Sequence, residues 1–242
     1  MSELKVELLA YTPAPDIQVA RAARLCYYGY DIAKLKEVMT PEKSAELVEK
    51  LTSMGHASPI EHAVFTFGIE GVSRALTHQL VRHRIASYSQ QSQRYVNGKQ
   101  FGYIIPPAIE ANPNLKVAYE NFMKECQTMY EALVSNGIEK EDARMVLPNG
   151  CDTKIIVTMN ARSLMNFFQH RCCNRAQWEI RRLAWKMLRL CKEVAPELFK
   201  HAGPDCWTCN RCNEEDMSCK RPYNYKNEKY VSDFDTESRQ GY

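Results

Sequence analysis

The chain has 242 residues, 45% apolar and 25% charged, which is an ordinary globular composition with enough length for one large domain or two small ones. A formal charge of +3 is too small for wholesale nucleic-acid binding, so any electrostatic function must come from local concentration of charge. Charges at Glu3 and Lys5 and the lack of a long apolar run argue against a signal peptide or a membrane span, and six of the ten cysteines (Cys26, Cys126, Cys151, Cys172, Cys173, Cys191) are scattered through apparent core elements, which points to a reducing cytoplasm.

In chain order, LKVELLAY reads as a first strand and PDIQVARAARLCYY as a helix opened by Pro15. PEKSAELVEKLTSMG is a second helix stopped by Gly55. EHAVFTFGIEGV alternates with period two, putting Ala63, Phe65, Phe67 and Ile69 on one strand face. Ser73 is the N-cap expected for a helix over SRALTHQLVRHR that frays near Arg84. IASYSQQSQRY lacks a helical apolar period and reads as a loop, because its side chains compete for backbone hydrogen bonds. A long helix is expected from about Asn114 to Asn136, a short one over EKEDARMVLP, a strand over TKIIVTMN, and then helices over NARSLMNFFQHR and AQWEIRRLAWKMLRLCKEVAPELF. The expected fold is α+β (mixed α/β), a single domain with a central, largely antiparallel sheet and packed helices. That domain covers residues 1–202; residues 203–242 are a polar, Cys-containing extension outside the core.

Charge is distributed unevenly along this scaffold. Between Glu70 and Glu110 no acidic side chain balances Arg74, Arg82, Arg84, Arg94 and Lys99. A second acid-free stretch, Thr153 to Trp178, holds Lys154, Arg162, Arg171 and Arg175, so two distant segments can converge on one anionic site. Ser87, Ser89, Gln90, Gln91, Ser92 and Gln93 interleave with the first set of arginines. These short or planar hydrogen-bonding groups orient a ligand as well as attract it, which favours a small polar anion over a polynucleotide. No glycines have the spacing of a dinucleotide-binding turn, so a nucleotide cofactor would need arginines for its phosphates.

RHRIASYSQQS, an Arg-His-Arg triplet followed after seven residues by serine, resembles the signature of the flavin-dependent thymidylate synthases. HASPIEHAVFTF before it and DARMVLP, NARSLMNFFQHR and AQWEI after it resemble that family in the same order, over roughly residues 15–200. The resemblance implies a cytoplasmic homotetrameric flavoenzyme with active sites shared between subunits. It would convert dUMP to dTMP with FAD as cofactor, methylenetetrahydrofolate as carbon donor and NADPH as reductant, with no metal, nucleic-acid or membrane partner. By resemblance FAD falls to Ser58, Arg82, His83, Arg84, Gln90, Asn160, Arg162 and Asn166. The substrate dUMP falls to Gln79, Arg82, Gln90, Gln91, Ser92, Gln93, Arg94, Arg144 and Arg171, and His56 to the folate side. Arg171 is the expected catalytic group: a guanidinium beside uracil favours loss of the imide proton and builds electron density at the carbon to be methylated. Its plainer alternative is a phosphate clamp or an ion pair.

Two departures from the family pattern stand out: Ser89-Gln90 where Asn-Glu is common, and Arg175 where histidine can occur. Ser92 is read as a hydrogen-bonding partner of the nucleotide in preference to a nucleophile, because the nearby sequence offers His83 as a base but no carboxylate to orient it. Cys206, Cys209, Cys212 and Cys219 form C-x2-C-x2-C-x6-C, a spacing that fits neither zinc nor iron–sulfur patterns well; free thiols are the expectation. The rival readings, a metal-stabilised nucleic-acid-binding protein and a flavoprotein acting on uridine in RNA, differ from the main one in chromophore and in the length of basic groove required.

Overall fold

The structure is a computed structural model and describes residues 2–27, 29, 31–95 and 101–220. Lys99, one of the cations counted above, Tyr28 of the first predicted helix, and 221–242 of the extension lie outside the described residues.

Four strands, β1 (Lys5–Tyr11), β2 (Val64–Ser73), β3 (Ser87–Gln90) and β4 (Asp152–Asn160), form one antiparallel sheet in the order β1-β2-β4-β3. The period-two pattern of β2 and β4 buries Phe65, Phe67 and Ile69 against Ile155, Val157 and Met159. Each such side chain contributes about 1.5–3 kcal/mol by leaving water. Gly71 breaks the alternation with a positive φ of 67°, at a register shift where a Cβ would collide with the Glu3 backbone.

Helices cover the apolar face. α1 (Pro15–Leu25), α2 (Ile32–Val38) and α3 (Pro41–Met54) precede β2, and α4 (Arg74–Leu80) follows it. α5 (Pro107–Glu110), α6 (Pro113–Ser135) and α7 (Lys140–Ala143) lead to β4; α8 (Ala161–Arg171), α9 (Trp178–Val194) and α10 (Asp205–Thr208) complete the described chain. Leu76, Leu164, Phe167, Phe168, Leu183 and Leu188 join the strand residues in one core. Among the described residues the opposite sheet face has no such cover, and Leu9, Tyr11, Val64 and Ile156 are exposed on it or at its margin.

The predicted strands and long helices form, α3 ending at Gly55 with φ 72° and Ser73 Oγ accepting from Leu76 N at 3.0 Å. Three local readings need correction. The first helix stops at Leu25, and α2, capped by Asp31, was not foreseen. The helix over SRALTHQLVRHR ends four residues before Arg84, at Leu80. The polar stretch read as a loop contains β3, whose backbone pairs with β4 from Ser87↔Thr158 to Gln90↔Ile155. Its half-buried residues are Tyr88 and Gln90, which bond to α4 and its end, so no hydrophobic alternation announces the strand. The extension also reaches the core: Trp207 is buried and packs edge-on to Trp185, centroids 6.1 Å apart.

Candidate active site

The Arg-His-Arg segment lies just outside α4. After Leu80 the chain tightens through Arg82 N to Gln79 O (3.3 Å) and His83 N to Leu80 O (3.1 Å). The Tyr88 hydroxyl lies 2.9 Å from Leu80 O and 2.7 Å from His83 O, and burial pushes its pKa up to about 12, so it remains a donor that pins this turn. Because the helix has ended, Arg82 and Arg84 escape the 200° divergence that a helix would impose on residues two apart. Both are exposed, and among the described residues neither side chain has a hydrogen-bond or ion-pair partner.

His83 turns inward. Its ring stands edge-on to Phe167 with centroids 5.0 Å apart, and its Nε2 accepts a hydrogen bond from Arg171 Nε at 3.1 Å. Burial first, then electrostatic repulsion from Arg171 and His170, holds its pKa down to about 4. The imidazole is therefore neutral near pH 7, with its proton on Nδ1. This matters for Arg171, which ends α8 half-buried: its orienting partner is uncharged, and among the described residues it has no carboxylate partner. Its positive charge is fixed in direction but not neutralised.

The other end of α8 is built differently. Asn160 caps the helix, Oδ1 accepting from Ser163 N at 2.9 Å. Arg162 Nη1 pairs with Glu61 Oε1 at 2.6 Å, both side chains being about half exposed (57% and 44%). Glu61 belongs to the 3-10 turn Pro59–His62 that follows exposed Ser58. Asn166 is one helical turn beyond Arg162, on the same exposed side, whereas Arg171, nine residues on, points to the opposite side.

A third group gathers beside β3 and α7. Gln90 Nε2 donates to Thr77 Oγ1 at 2.9 Å, and Gln91 N to Lys154 O at 2.9 Å. Ser92 Oγ accepts from Arg94 N at 3.2 Å, and among the described residues no histidine or carboxylate bonds to that hydroxyl, which leaves it without the base a nucleophile needs. Arg94 pairs with Glu141 (Nε 2.8 Å, Nη2 2.5 Å), and Arg144 Nε donates to Glu141 O at 3.0 Å. Gln79 on α4 and Gln93 after β3 are half-buried; His56, next to Gly55, is exposed.

The sequence candidates thus fall into separate clusters. Ser58, Asn160, Arg162 and Asn166 lie where β4 runs into α8, while Gln90–Arg94 and Arg144 lie toward the start of β4. Asn160 opposes Val64 and Ile155 opposes Gln90, five residues apart on β4, or about 17 Å. Two groups were missed from sequence. Buried Glu179 clasps Ser73, accepting from its N at 2.7 Å and its Oγ at 2.6 Å, and burial raises its pKa; its place in AQWEI was the available signal. Arg74 was counted among the unbalanced cations but given no role. Among the described residues no three His, Cys, Asp or Glu side chains form a metal-holding group.

The loops of this antiparallel sheet present arginines that are unpaired among the described residues, and the sequence has no glycine-rich phosphate loop, so guanidinium groups are the means it offers for meeting an anion. The chain belongs to the family described as thymidylate synthase complementing protein, whose model matches residues 7–197. It is 54% identical to a flavin-dependent thymidylate synthase of Geobacter sulfurreducens, over 89% of this chain and 94% of the relative. Enzymes of the same description from Clostridium tetani (53% identical, 89% of this chain, 93% of the relative) and Nitratidesulfovibrio vulgaris (50%, 91% and 96%) are similarly related.

Proposed function

We propose that this protein is a flavin-dependent thymidylate synthase. It transfers the methylene of 5,10-methylenetetrahydrofolate to dUMP and reduces it with electrons from NADPH, releasing dTMP, tetrahydrofolate and NADP+. The observation that carries this reading is the neutral His83 holding Arg171 at 3.1 Å inside an Arg-His-Arg segment, in a chain half-identical to enzymes of that name.

The donor set fits FAD. Its diphosphate calls for cations where no glycine-rich loop exists, and Arg82 and Arg84 are exposed, adjacent in space to neutral His83 and unpaired among the described residues. Arg162, Asn166, Asn160, Ser58 and Gln90 would complete its site. Bound there, FAD supplies the two-electron redox chemistry of the reductive methylation. The chain's own part is binding and charge control. Gln79, Arg82, Gln90–Arg94 and Arg144 hold dUMP, and His56 borders the folate. Arg171 stabilises the uracil ring as its imide proton leaves, His83 fixing the guanidinium without cancelling its charge.

The functional assembly is a cytoplasmic homotetramer. In support, candidate clusters about 17 Å apart on β4 cannot both face one uracil, and the uncovered sheet face offers apolar surface for another copy. Ten free thiols suit a reducing compartment. Residues 1–202 form the catalytic domain, in line with a family match ending at 197, and 203–242 an extension. Nucleic acid is not a partner, given a net charge of only +3, and among the described residues no helix is long and apolar enough to cross a membrane.

The test is direct. Purified protein should show flavin absorbance and, without oxygen, turn over NADPH catalytically only when dUMP and methylenetetrahydrofolate are present, with one dTMP formed per NADPH. Sustained anaerobic turnover of NADPH without dTMP, or no dTMP at all, would refute the assignment.

A further inference from the structure

Arg74 opens α4 on a rigid footing. Its N donates to Cys151 O at 2.9 Å, Ala75 N donates to Asn149 O at 3.1 Å, and the preceding Ser73 is clasped by buried Glu179. The side chain has much less to hold it. Nη1 lies 3.5 Å from Gln91 O, at the outer limit of a hydrogen bond, and among the described residues no carboxylate pairs with it. Its neighbour is another cation: burial first, then the charge of Arg144, lower the pKa of Arg74. Glu141 relieves neither, since its carboxylate is engaged by Arg94 and only its backbone carbonyl meets Arg144.

Two partly desolvated guanidinium groups side by side, without a counter-ion, destabilise each other; a dianion between them would reverse the sign. A planar guanidinium fork also matches the oxygen spacing of a phosphate. We infer that Arg74 is a phosphate-binding residue which, with Arg144 and the Gln91–Arg94 segment, takes the 5′-phosphate of the nucleotide substrate and so selects nucleotide over nucleoside. This rests on the reading of the protein as a dUMP enzyme.

The test uses the FAD-loaded protein as wild type, Arg74→Gln and Arg74→Lys, titrated calorimetrically with dUMP and with deoxyuridine, which keeps the ring and sugar but lacks the phosphate. Arg74→Gln should bind dUMP at least about tenfold more weakly, the loss of one charge-assisted contact, with deoxyuridine affinity changed less than about twofold. Arg74→Lys should fall between, because the charge remains and the fork is lost. FAD content reports folding; if Arg74→Gln loses flavin, the lysine variant decides by the same dUMP-against-deoxyuridine difference. Equal weakening of both ligands, or unchanged dUMP binding, would overturn the assignment of Arg74 alone. Failure of the wild type to bind dUMP would overturn the functional reading and this inference with it.

Discussion

The two ends of α8 present arginines in opposite electrostatic conditions. Arg162, in the first turn, is exposed and neutralised by Glu61 at 2.6 Å; Arg171, in the last, is half-buried and held at 3.1 Å by an imidazole that carries no charge. An arginine braced by a carboxylate is oriented but electrically quiet, whereas one braced by a neutral acceptor keeps its field for a ligand. Their separation of nine positions, about 14 Å of helix, turns the two side chains to opposite sides. On the reading proposed above, one chain therefore carries two half-sites, flavin-holding at one end of α8 and uracil-activating at the other.

The largest effect should come from the uracil-activating end. Arg171→Lys keeps the charge but loses the planar fork, and losing stabilisation of a developing ring anion costs about 3 kcal/mol, roughly a hundredfold or more in rate. The variant should fold, hold FAD and be reduced by NADPH, yet form dTMP at least about a hundredfold more slowly in single turnovers with saturating dUMP. If only dUMP affinity falls, Arg171 is a phosphate clamp and the contrast between the ends disappears.

His83 sharpens the comparison one step away. His83→Phe preserves a ring against Phe167 but offers Arg171 no acceptor, while His83→Gln can present an amide oxygen. The phenylalanine variant should lose about tenfold in kcat and the glutamine variant less, with KM for dUMP moving little in either. Equal losses in the two would show that the hydrogen bond is irrelevant.

Stability against pH gives a smaller signal. The folded pKa of His83, about 4, lies below the ordinary 6.5, so the unfolded chain takes up the proton first. The stability tied to a neutral His83 is present above pH 6.5 and is lost as pH falls toward 4. Between pH 7 and 5 the wild type should lose about 1 kcal/mol more than His83→Gln, allowing for solvent screening of a half-exposed group. Parallel melting curves for the two across that range would contradict the burial of a neutral imidazole. Smallest of all, Glu61→Gln at the quiet end should change unfolding free energy by less than about 1 kcal/mol, because the pair it breaks is exposed. A larger loss in denaturant titrations would mean that Glu61 does more than pair with Arg162.

Much of this scaffold was legible because its sheet and helices announce themselves by burial period: Phe65, Phe67 and Ile69 alternate, and Leu164, Phe167 and Phe168 share one side of α8. β3 was not, since a strand that turns Tyr88 and Gln90 inward to make hydrogen bonds has no apolar rhythm. The site residues were legible as charge without counter-charge and as a resemblance, but their grouping was not. Whether an arginine's partner is Glu61, Glu141 or a neutral His83 depends on which loops the fold brings together, and sequence spacing does not carry that. Trp207 shows the same limit: a tryptophan among polar residues reads as extension until Trp185 is found beneath it.

Subunit mixing probes the division of α8 into two half-sites most directly. Arg162→Ala and Arg171→Ala proteins, each inactive or nearly so, are unfolded or dissociated together and allowed to reassemble. If the two ends serve different active sites completed by neighbouring copies, some sites in the hybrids contain both intact arginines and a substantial fraction of wild-type dTMP formation returns. If hybrids stay as inactive as the separate variants, or the wild type is fully active as a monomer by light scattering, both arginines act in one chain's own site and the division is wrong.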